Sequence, residues 1–241
     1  METQNKELYA DIFTSVKKVF SPKPDDAFAD IINSKNRSWL IILGIYVLLS
    51  ALALMLILSG QIMGAVRSLL STALLREFLY DMGGRNVINQ MLRKIMPYGG
   101  LFGTGLLLGL VSFAVLSGCV KLFCLVKKLD LCFITVMNIV SVSLIIYIAA
   151  MFAGIIFGFF FVQFSIILIV AVAIGSLIML YYGIQKIMPS DSSPFWSFLI
   201  INAVHIIVIA LIGVGLFSAV LSGAIENMGG VIEDMFWDSY W

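Results

Sequence analysis

The chain has few charged residues, since Asp, Glu, Lys and Arg together make up 12% of its 241 residues. Soluble proteins carry about twice that share, and roughly half of their residues are apolar. Here 61% of the residues are hydrophobic. A soluble chain cannot bury so much apolar surface, so a bilayer must solvate most of this one. The net charge of +1 comes without a basic patch, and we expect no nucleic-acid partner.

The residues from which metal sites and most active sites are built are nearly missing. The chain has one histidine, His205, and three cysteines without a C-x-x-C spacing, Cys119, Cys124 and Cys132. The usual Cys/His zinc patterns are therefore absent. No G-x-S-x-G, H-E-x-x-H, P-loop or dinucleotide-binding motif occurs. We predict no enzymatic activity, no metal and no cofactor. The cysteines are expected to be reduced thiols, with acylation of Cys124 as the alternative.

Long apolar segments predict an all-α polytopic integral membrane protein, because about 20 helical residues cross a bilayer. The run from Leu131 to Gln185 holds 55 residues and no charge. As one helix it would be about 80 Å long, far beyond a hydrocarbon core of about 30 Å, so it must contain two crossings. The membrane domain, residues 38–223, then has five predicted transmembrane helices: residues 39–59, 98–120, 131–153, 162–182 and 194–223.

The two crossings inside the uncharged run need a turn without a polar loop. The stretch Gly154–Phe161 lies between them, and Gly154 and Gly158 supply its backbone freedom. Unpaired backbone amides cannot face lipid. We therefore expect the turn to lie in the membrane interface or beneath other helices.

Positive charge predicts how the five crossings are oriented. With the N-terminus in the cytoplasm, ten of the fifteen Lys and Arg residues lie inside and five outside. The positive-inside rule thus predicts a multi-pass protein of the cell membrane with a cytoplasmic N-terminus and an extracytoplasmic C-terminus. The five outside residues are Arg67, Arg76, Arg85, Arg93 and Lys94.

Three segments outside the crossings have apolar residues on one helical face, which is typical of short amphipathic interfacial helices. They contact lipid or pack on the protein's own helices, and the pattern does not distinguish the two. They are the cytoplasmic N-terminal segment 1–37, the extracytoplasmic insert 60–97 and the acidic and aromatic extracytoplasmic tail 224–241. In the first, one helix carries Leu8, Ile12, Val16 and Phe20, and Ser21–Pro24 separates it from a second helix at Asp25–Asn33.

His205 is the one ionisable residue deep in a predicted crossing, which makes it a candidate for function. Asn202 lies three residues earlier and therefore on the same side of the helix. The alternative is a neutral, structural histidine hydrogen-bonded to a neighbouring helix, with Asn138 as the suggested partner. Such contacts contribute about 0.6–2 kcal/mol. His205, Asn202 and Asn138 form the predicted polar cluster.

Small residues recur every four positions in the second and fifth predicted crossings. Small side chains let helix backbones approach closely, which is how membrane helices associate. They pack within the monomer or against a partner or second copy. The candidate packing residues are Gly99, Gly103, Gly105, Gly109, Gly215, Ala219 and Gly223.

The layout resembles the Yip1 family of five-pass membrane proteins, in its bacterial form. The similar features are the proline-containing lead into the first helix at Val19–Leu48, the glycine-rich second helix, the polar break at Lys127–Ile145 and the apolar pair ending at Leu177–Ile187. The resemblance implies a cytoplasmic N-terminus and five crossings. Eukaryotic members carry a D-L-Y-G-P motif, which this chain lacks, so their binding of small GTPases is not implied.

The sequence favours a non-enzymatic membrane protein that scaffolds, regulates or organises a membrane complex. Its expected partners are the lipid bilayer and another membrane protein or a second copy of the chain. The alternatives are a transport component, such as a permease subunit that partners an ATPase, and an immunity or stress-protection protein.

Overall fold

The computed structural model of the protein describes residues 12–24, 26–33, 38–70, 96–158, 162–188 and 193–238, and within these ranges it contains helices and no strand. Four stretches are long and apolar enough to cross a membrane: Trp39–Gly64, Tyr98–Val126, Phe133–Phe157 and Pro194–Asn227. The prediction of an all-α protein with several helices that can cross a membrane is confirmed. The helices are α1 (12–19), α2 (Asp26–Asn33), α3 (Trp39–Leu70), α4 (Tyr98–Val126), α5 (Phe133–Ser143), α6 (Ile145–Gly158), α7 (Val162–Ile187) and α8 (Pro194–Asp238).

Helices α3 and α4 run antiparallel in close contact. A Cβ atom on Gly105 would lie 2.5 Å from the Cα of Ala51, and one on Gly109 would lie 3.2 Å from the Cα of Val47. Moving four residues along α4 therefore means moving four residues back along α3. The approach is this close because neither glycine has a side chain between the two backbones.

Helices α5 and α6 run parallel to α3. Near the start of α3 the hydroxyl of Ser38 donates to Oδ1 of Asn138 at 3.3 Å. Further along, Ser50 Oγ lies 3.6 Å from the sulfur of Met151. The two residue numbers differ by 100 in the first pair and by 101 in the second, so the helices keep the same register over several turns.

The central helix is interrupted at Leu144, between α5 and α6. The hydroxyls of Ser141 and Ser143 donate to carbonyls three residues earlier, those of Asn138 and Val140. Serine bonds of this kind bend helices because they compete with the backbone ladder. The interruption leaves the carbonyl of Ser143 accessible, and Ser176 of α7 donates to it at 2.7 Å. Residues 138–145 are all buried, so this bend lies at the centre of the bundle.

Helix α7 returns antiparallel along α5 and α6. Ser176 pairs with Ser143, while a Cβ on Gly175 would lie 3.4 Å from Ile146 and one on Gly183 would lie 2.8 Å from Ile139. Residue numbers fall on one helix as they rise on the other, which defines an antiparallel hairpin.

The hairpin corrects the predicted position of its turn. Helix α6 continues through Gly154, which is buried, and ends at Gly158. Gly154 is therefore helical and does not start the reversal, because the apolar residues around it extend the helix by one more turn. Residues 159–161, between α6 and α7, lie outside the described part of the chain.

Two helices extend beyond the boundaries predicted from membrane thickness. Helix α3 continues to Leu70 and so includes the first residues of the predicted insert 60–97. Residues 71–95 of that insert lie outside the described part of the chain. Helix α8 has 45 residues and runs without a break from Pro194 to Asp238, so the tail does not form a separate helix up to that residue. No proline interrupts either helix, and a glycine inside a helix costs only about 1 kcal/mol.

The N-terminal helices pack on the protein's own bundle. Phe28 of α2 is fully buried, its ring lies against Gly183 of α7, and it belongs to one apolar cluster with Ile139 of α5. Val19 of α1 is 4% exposed and belongs to the same apolar cluster. Phe20, on the predicted apolar face of the first segment, is 60% exposed, so self-packing does not extend to it. Self-packing is thus the outcome for α2 and for one side of α1.

Candidate functional site: a hydrogen-bonded cluster between three helices

His205 of α8 is hydrogen-bonded to α4 inside the predicted membrane region. Its Nε2 atom lies 2.9 Å from the hydroxyl oxygen of Ser112. The Tyr46 hydroxyl of α3 donates to the same Ser112 oxygen over a longer 3.4 Å. One serine therefore connects three helices, and we name Tyr46, Ser112 and His205 the three-helix cluster.

The donor and acceptor roles in this cluster have one simple arrangement. A serine hydroxyl donates one proton and accepts others. If Tyr46 donates to Ser112, the Ser112 proton is free to point at His205, whose Nε2 then accepts it. That arrangement places the histidine proton on Nδ1 and leaves the ring neutral, as the low-polarity surroundings favour.

Helix α6 supplies the neighbours of Tyr46. The Tyr147 ring is 6.0 Å from the Tyr46 ring, in a tilted aromatic contact. Ser50 donates to the Tyr46 carbonyl at 2.7 Å and lies 3.6 Å from the sulfur of Met151. Tyr46 and Met151 are both buried. The cluster is thus held on one side by the packed contact between α3 and α6.

Asn138 does not take part in this cluster, which corrects the suggested pairing with His205. Its Oδ1 accepts the backbone N–H of Trp39 and the hydroxyl of Ser38, each at 3.3 Å. Trp39 is the first residue of α3, whose first amides have no partner within the helix. Asn138 therefore caps the N-terminus of the neighbouring helix α3. The position of Asn138 in the sequence does not show which helix end it meets, so this role could not be predicted.

Asn202 is also separate from the cluster, although it is close to His205 in sequence. Its Nδ2 donates to the Phe198 carbonyl of its own helix at 2.8 Å. Its Oδ1 is buried and has no hydrogen-bond partner among the described residues. The predicted trio of His205, Asn202 and Asn138 is thus divided over three different sets of contacts.

Sequence reasoning missed Ser112 and Tyr46. Both lie in strongly apolar segments, where isolated serine and tyrosine residues are common and easily satisfied. The only available signal was position: Tyr46 and Ser112 each lie inside a predicted crossing, where a polar group is a candidate partner for His205 on another crossing.

The candidate packing residues fall into two groups. Gly105 and Gly109 lie against the backbone of α3. Ala219 is exposed. An added Cβ on any of the remaining four would meet nothing within 4 Å: Gly99, Gly103, Gly215 and Gly223.

The three-helix cluster has limited chemical capacity. It contains one imidazole and two hydroxyl groups, and no carboxylate, lysine or arginine. Among the described residues, no three His, Cys, Asp or Glu side chains are grouped closely enough to hold a metal ion. The arrangement is suited to holding α3, α4 and α8 together, since an interhelical hydrogen bond in a membrane contributes about 0.6–2 kcal/mol.

Replacement of His205 by leucine is expected to destabilise the protein by about 1 kcal/mol, because it removes the hydrogen bond that joins α8 to Ser112 of α4. Ser112→Ala is expected to have a similar effect, and the double variant should be little worse than either single one. A double-mutant cycle of thermal unfolding midpoints in detergent measures this coupling. Fully additive losses would mean that the two side chains do not stabilise each other.

Comparison of the chain with protein-family models, with curated proteins and with solved structures finds no match. The resemblance to the Yip1 family accordingly stays a prediction.

Proposed function

We propose that the protein crosses the membrane five times, with α7 as the fourth crossing. Helices α3, α5–α6 and α8 all run in the same direction, so one antiparallel crossing must separate α6 from α8. Helix α7 lies in that position and has 26 residues, or about 39 Å. Its contacts with Ile139, Ser143 and Ile146 keep it at the same depth as the buried central helix.

The directions of α4 and α8 relative to α3 support the same count. Ser112 bonds His205, and a Cβ on Gly100 would lie 3.8 Å from Val220, so α8 runs antiparallel to α4. Helix α4 is itself antiparallel to α3. With the N-terminus in the cytoplasm, as the distribution of Lys and Arg favours, the C-terminal end of α8 lies outside.

Within this topology we propose a non-enzymatic scaffold that binds another membrane protein or a second copy through α8. The observation that carries the proposal is the length and exposure of this helix. In its most apolar 18-residue stretch no residue is buried, whereas 56% of the residues are buried in the corresponding stretch of Phe133–Phe157. Asp238 lies 18 residues beyond Val220, so α8 extends about 27 Å past the level of Gly100. A continuous helix of this length is a rigid element suited to contacting a partner.

The exposed side of α8 carries small residues between large apolar ones. Gly215 and Gly223 have no other group within 4 Å of an added Cβ. Leu211 and Val214 beside them are each 71% exposed. A stripe of this kind accepts a second helix at short distance, because the glycines let the backbones approach. A resemblance to the Yip1 family without GTPase binding is part of this proposal.

Site-specific photo-crosslinking from position 214 in living cells tests the scaffold. A discrete protein adduct or a dimer is expected, and Gly215→Leu should remove it without lowering the unfolding midpoint. Gly103→Leu is the matched control, since Gly103 is equally open but lies on α4, and it should keep the adduct. Adducts with lipid alone would contradict the proposal.

A further inference from the structure

Three apolar side chains at the C-terminal end of α4 are exposed. Leu122, Leu125 and Val126 are 64%, 59% and 79% exposed. Helix α4 has 29 residues, or about 43 Å, which equals the bilayer thickness of about 40–45 Å including both headgroup layers. The hydrocarbon core takes up only about 30 Å of that length. In the proposed topology, the ends of α4 therefore lie among the headgroups.

The register between α3 and α4 supports this depth. Gly109 lies beside Val47, and Gly105 lies beside Ala51. Continued at the same spacing, the register places residue 117 level with Trp39, where the first membrane-spanning stretch begins. Leu122 and Val126 then lie about 8 and 14 Å beyond that level.

Cationic side chains follow the exposed apolar turn immediately. Lys127 and Lys128 are both exposed. Lys128 has φ of 56°, and the N–H of the next residue, Leu129, bonds the Cys124 carbonyl at 2.8 Å. The chain thus reverses sharply, and both lysines belong to the turn that closes the helix. Asp130 is the one acidic residue in this turn.

Two further groups add positive potential nearby. The ammonium of Lys121 donates to the Leu131 carbonyl and so lies beside the start of α5. No side chain caps the N-terminus of α5 at Cys132. The first amides of a helix carry partial positive charge and favour anions. Three lysines against one aspartate give the region a net positive charge.

We propose that this turn binds an acidic phospholipid. The phosphate lies against Lys127 and Lys128, and the acyl chains lie along Leu122, Leu125 and Val126. A water-soluble anion would use the lysines but gain nothing from the apolar residues. A zwitterionic lipid would use the apolar residues but carries no net negative charge. Exposed apolar and cationic groups at headgroup depth together match an anionic lipid.

Lipid-dependent thermal stability of the purified full-length chain tests this site. The protein in a neutral detergent is titrated with phosphatidylglycerol or phosphatidylcholine, and the unfolding midpoint is followed by tryptophan fluorescence. Phosphatidylglycerol is expected to raise the midpoint more than phosphatidylcholine does, since a ligand that binds only the folded state stabilises it. Each lysine near an anionic surface changes affinity roughly fivefold. Lys127→Gln combined with Lys128→Gln should therefore weaken apparent phosphatidylglycerol affinity about 25-fold.

The controls separate this site from general surface charge and from unfolding. Lys17→Gln with Lys23→Gln removes two other exposed lysines and should keep the affinity within about twofold. The Lys127→Arg, Lys128→Arg variant keeps the charge and should bind like the wild type. Replacing Leu122 and Val126 by asparagine should weaken binding while leaving the lipid-free midpoint unchanged, because both are exposed.

Four results would overturn the proposal. They are equal stabilisation by the two lipids, equal weakening by the Lys17 and Lys23 control, full stabilisation by soluble glycerol phosphate, and full stabilisation by a polyglutamate peptide. The third would assign the site to a free phosphate compound, and the fourth to an acidic protein surface.

Discussion

Replacement of Gly105 by alanine is expected to lower the midpoint of thermal unfolding by about 5–10 °C. The new methyl carbon would lie 2.5 Å from the Cα of Ala51. Backbone atoms cannot rotate away as a side chain can, so α3 and α4 must separate. Overpacking of this kind costs about 1–3 kcal/mol, and a backbone clash belongs at the upper end. Scanning fluorimetry of the purified protein in one detergent gives the midpoint.

Gly103→Ala is the matched control for this prediction. Gly103 lies in the same helix, two residues earlier, and an added Cβ would meet nothing within 4 Å. Alanine also favours a helix over glycine by about 1 kcal/mol. The control should therefore keep or slightly raise the midpoint. Equal losses in the two variants would show that Gly105 does not lie against α3.

Replacement of Phe28 by alanine is expected to release α2 from the bundle. Phe28 is fully buried against Gly183 and in one apolar cluster with Ile139, and truncation of a buried phenylalanine costs about 3–5 kcal/mol. Because α2 has only 8 residues, it cannot remain helical in water without this contact. Amide hydrogen exchange in peptides covering α2 should accelerate about 100-fold, corresponding to the lower bound of that cost.

Phe20→Ala is the control for the effect on α2. Phe20 precedes the proline-containing turn and is 60% exposed, so its removal should change exchange in α2 by no more than a few fold. Exchange in α4 should be unchanged in both variants, since the release is local. Normal protection of α2 in the Phe28 variant would mean that α2 is held by other contacts.

The sequence predicted the kind of architecture well because membrane thickness limits how apolar residues can be arranged. Crossing starts at Trp39, Tyr98, Val162 and Pro194 coincide with the starts of α3, α4, α7 and α8. Each start lies at or just after a proline, a charged residue or a forced reversal. The helix ends were less predictable. Helix α8 passes Gly223 and continues to Asp238, because membrane thickness limits the crossing and not the helix.

The polar contacts were the least predictable part. His205 was identified from its chemistry, but its partner Ser112 is 93 residues away in the chain. That pairing depends on which faces of α4 and α8 meet, and hydrophobic periodicity is nearly uniform around such apolar helices. The same limit applies to glycines. Gly103 and Gly105 have the same local pattern, yet only Gly105 lies against another backbone.

The side of the membrane on which the C-terminus lies tests the five-crossing topology most directly. A reporter fused after Trp241, active only outside the cytoplasm, is compared with the same reporter fused after Ile187, at the end of α7. We expect activity after Trp241 and none after Ile187, because α7 returns the chain to the cytoplasm and α8 crosses once more. Cytoplasmic placement of the Trp241 fusion would contradict this topology: with no activity after Ile187 it would mean that one crossing is missing, and with activity after Ile187 that the protein is inserted the other way round.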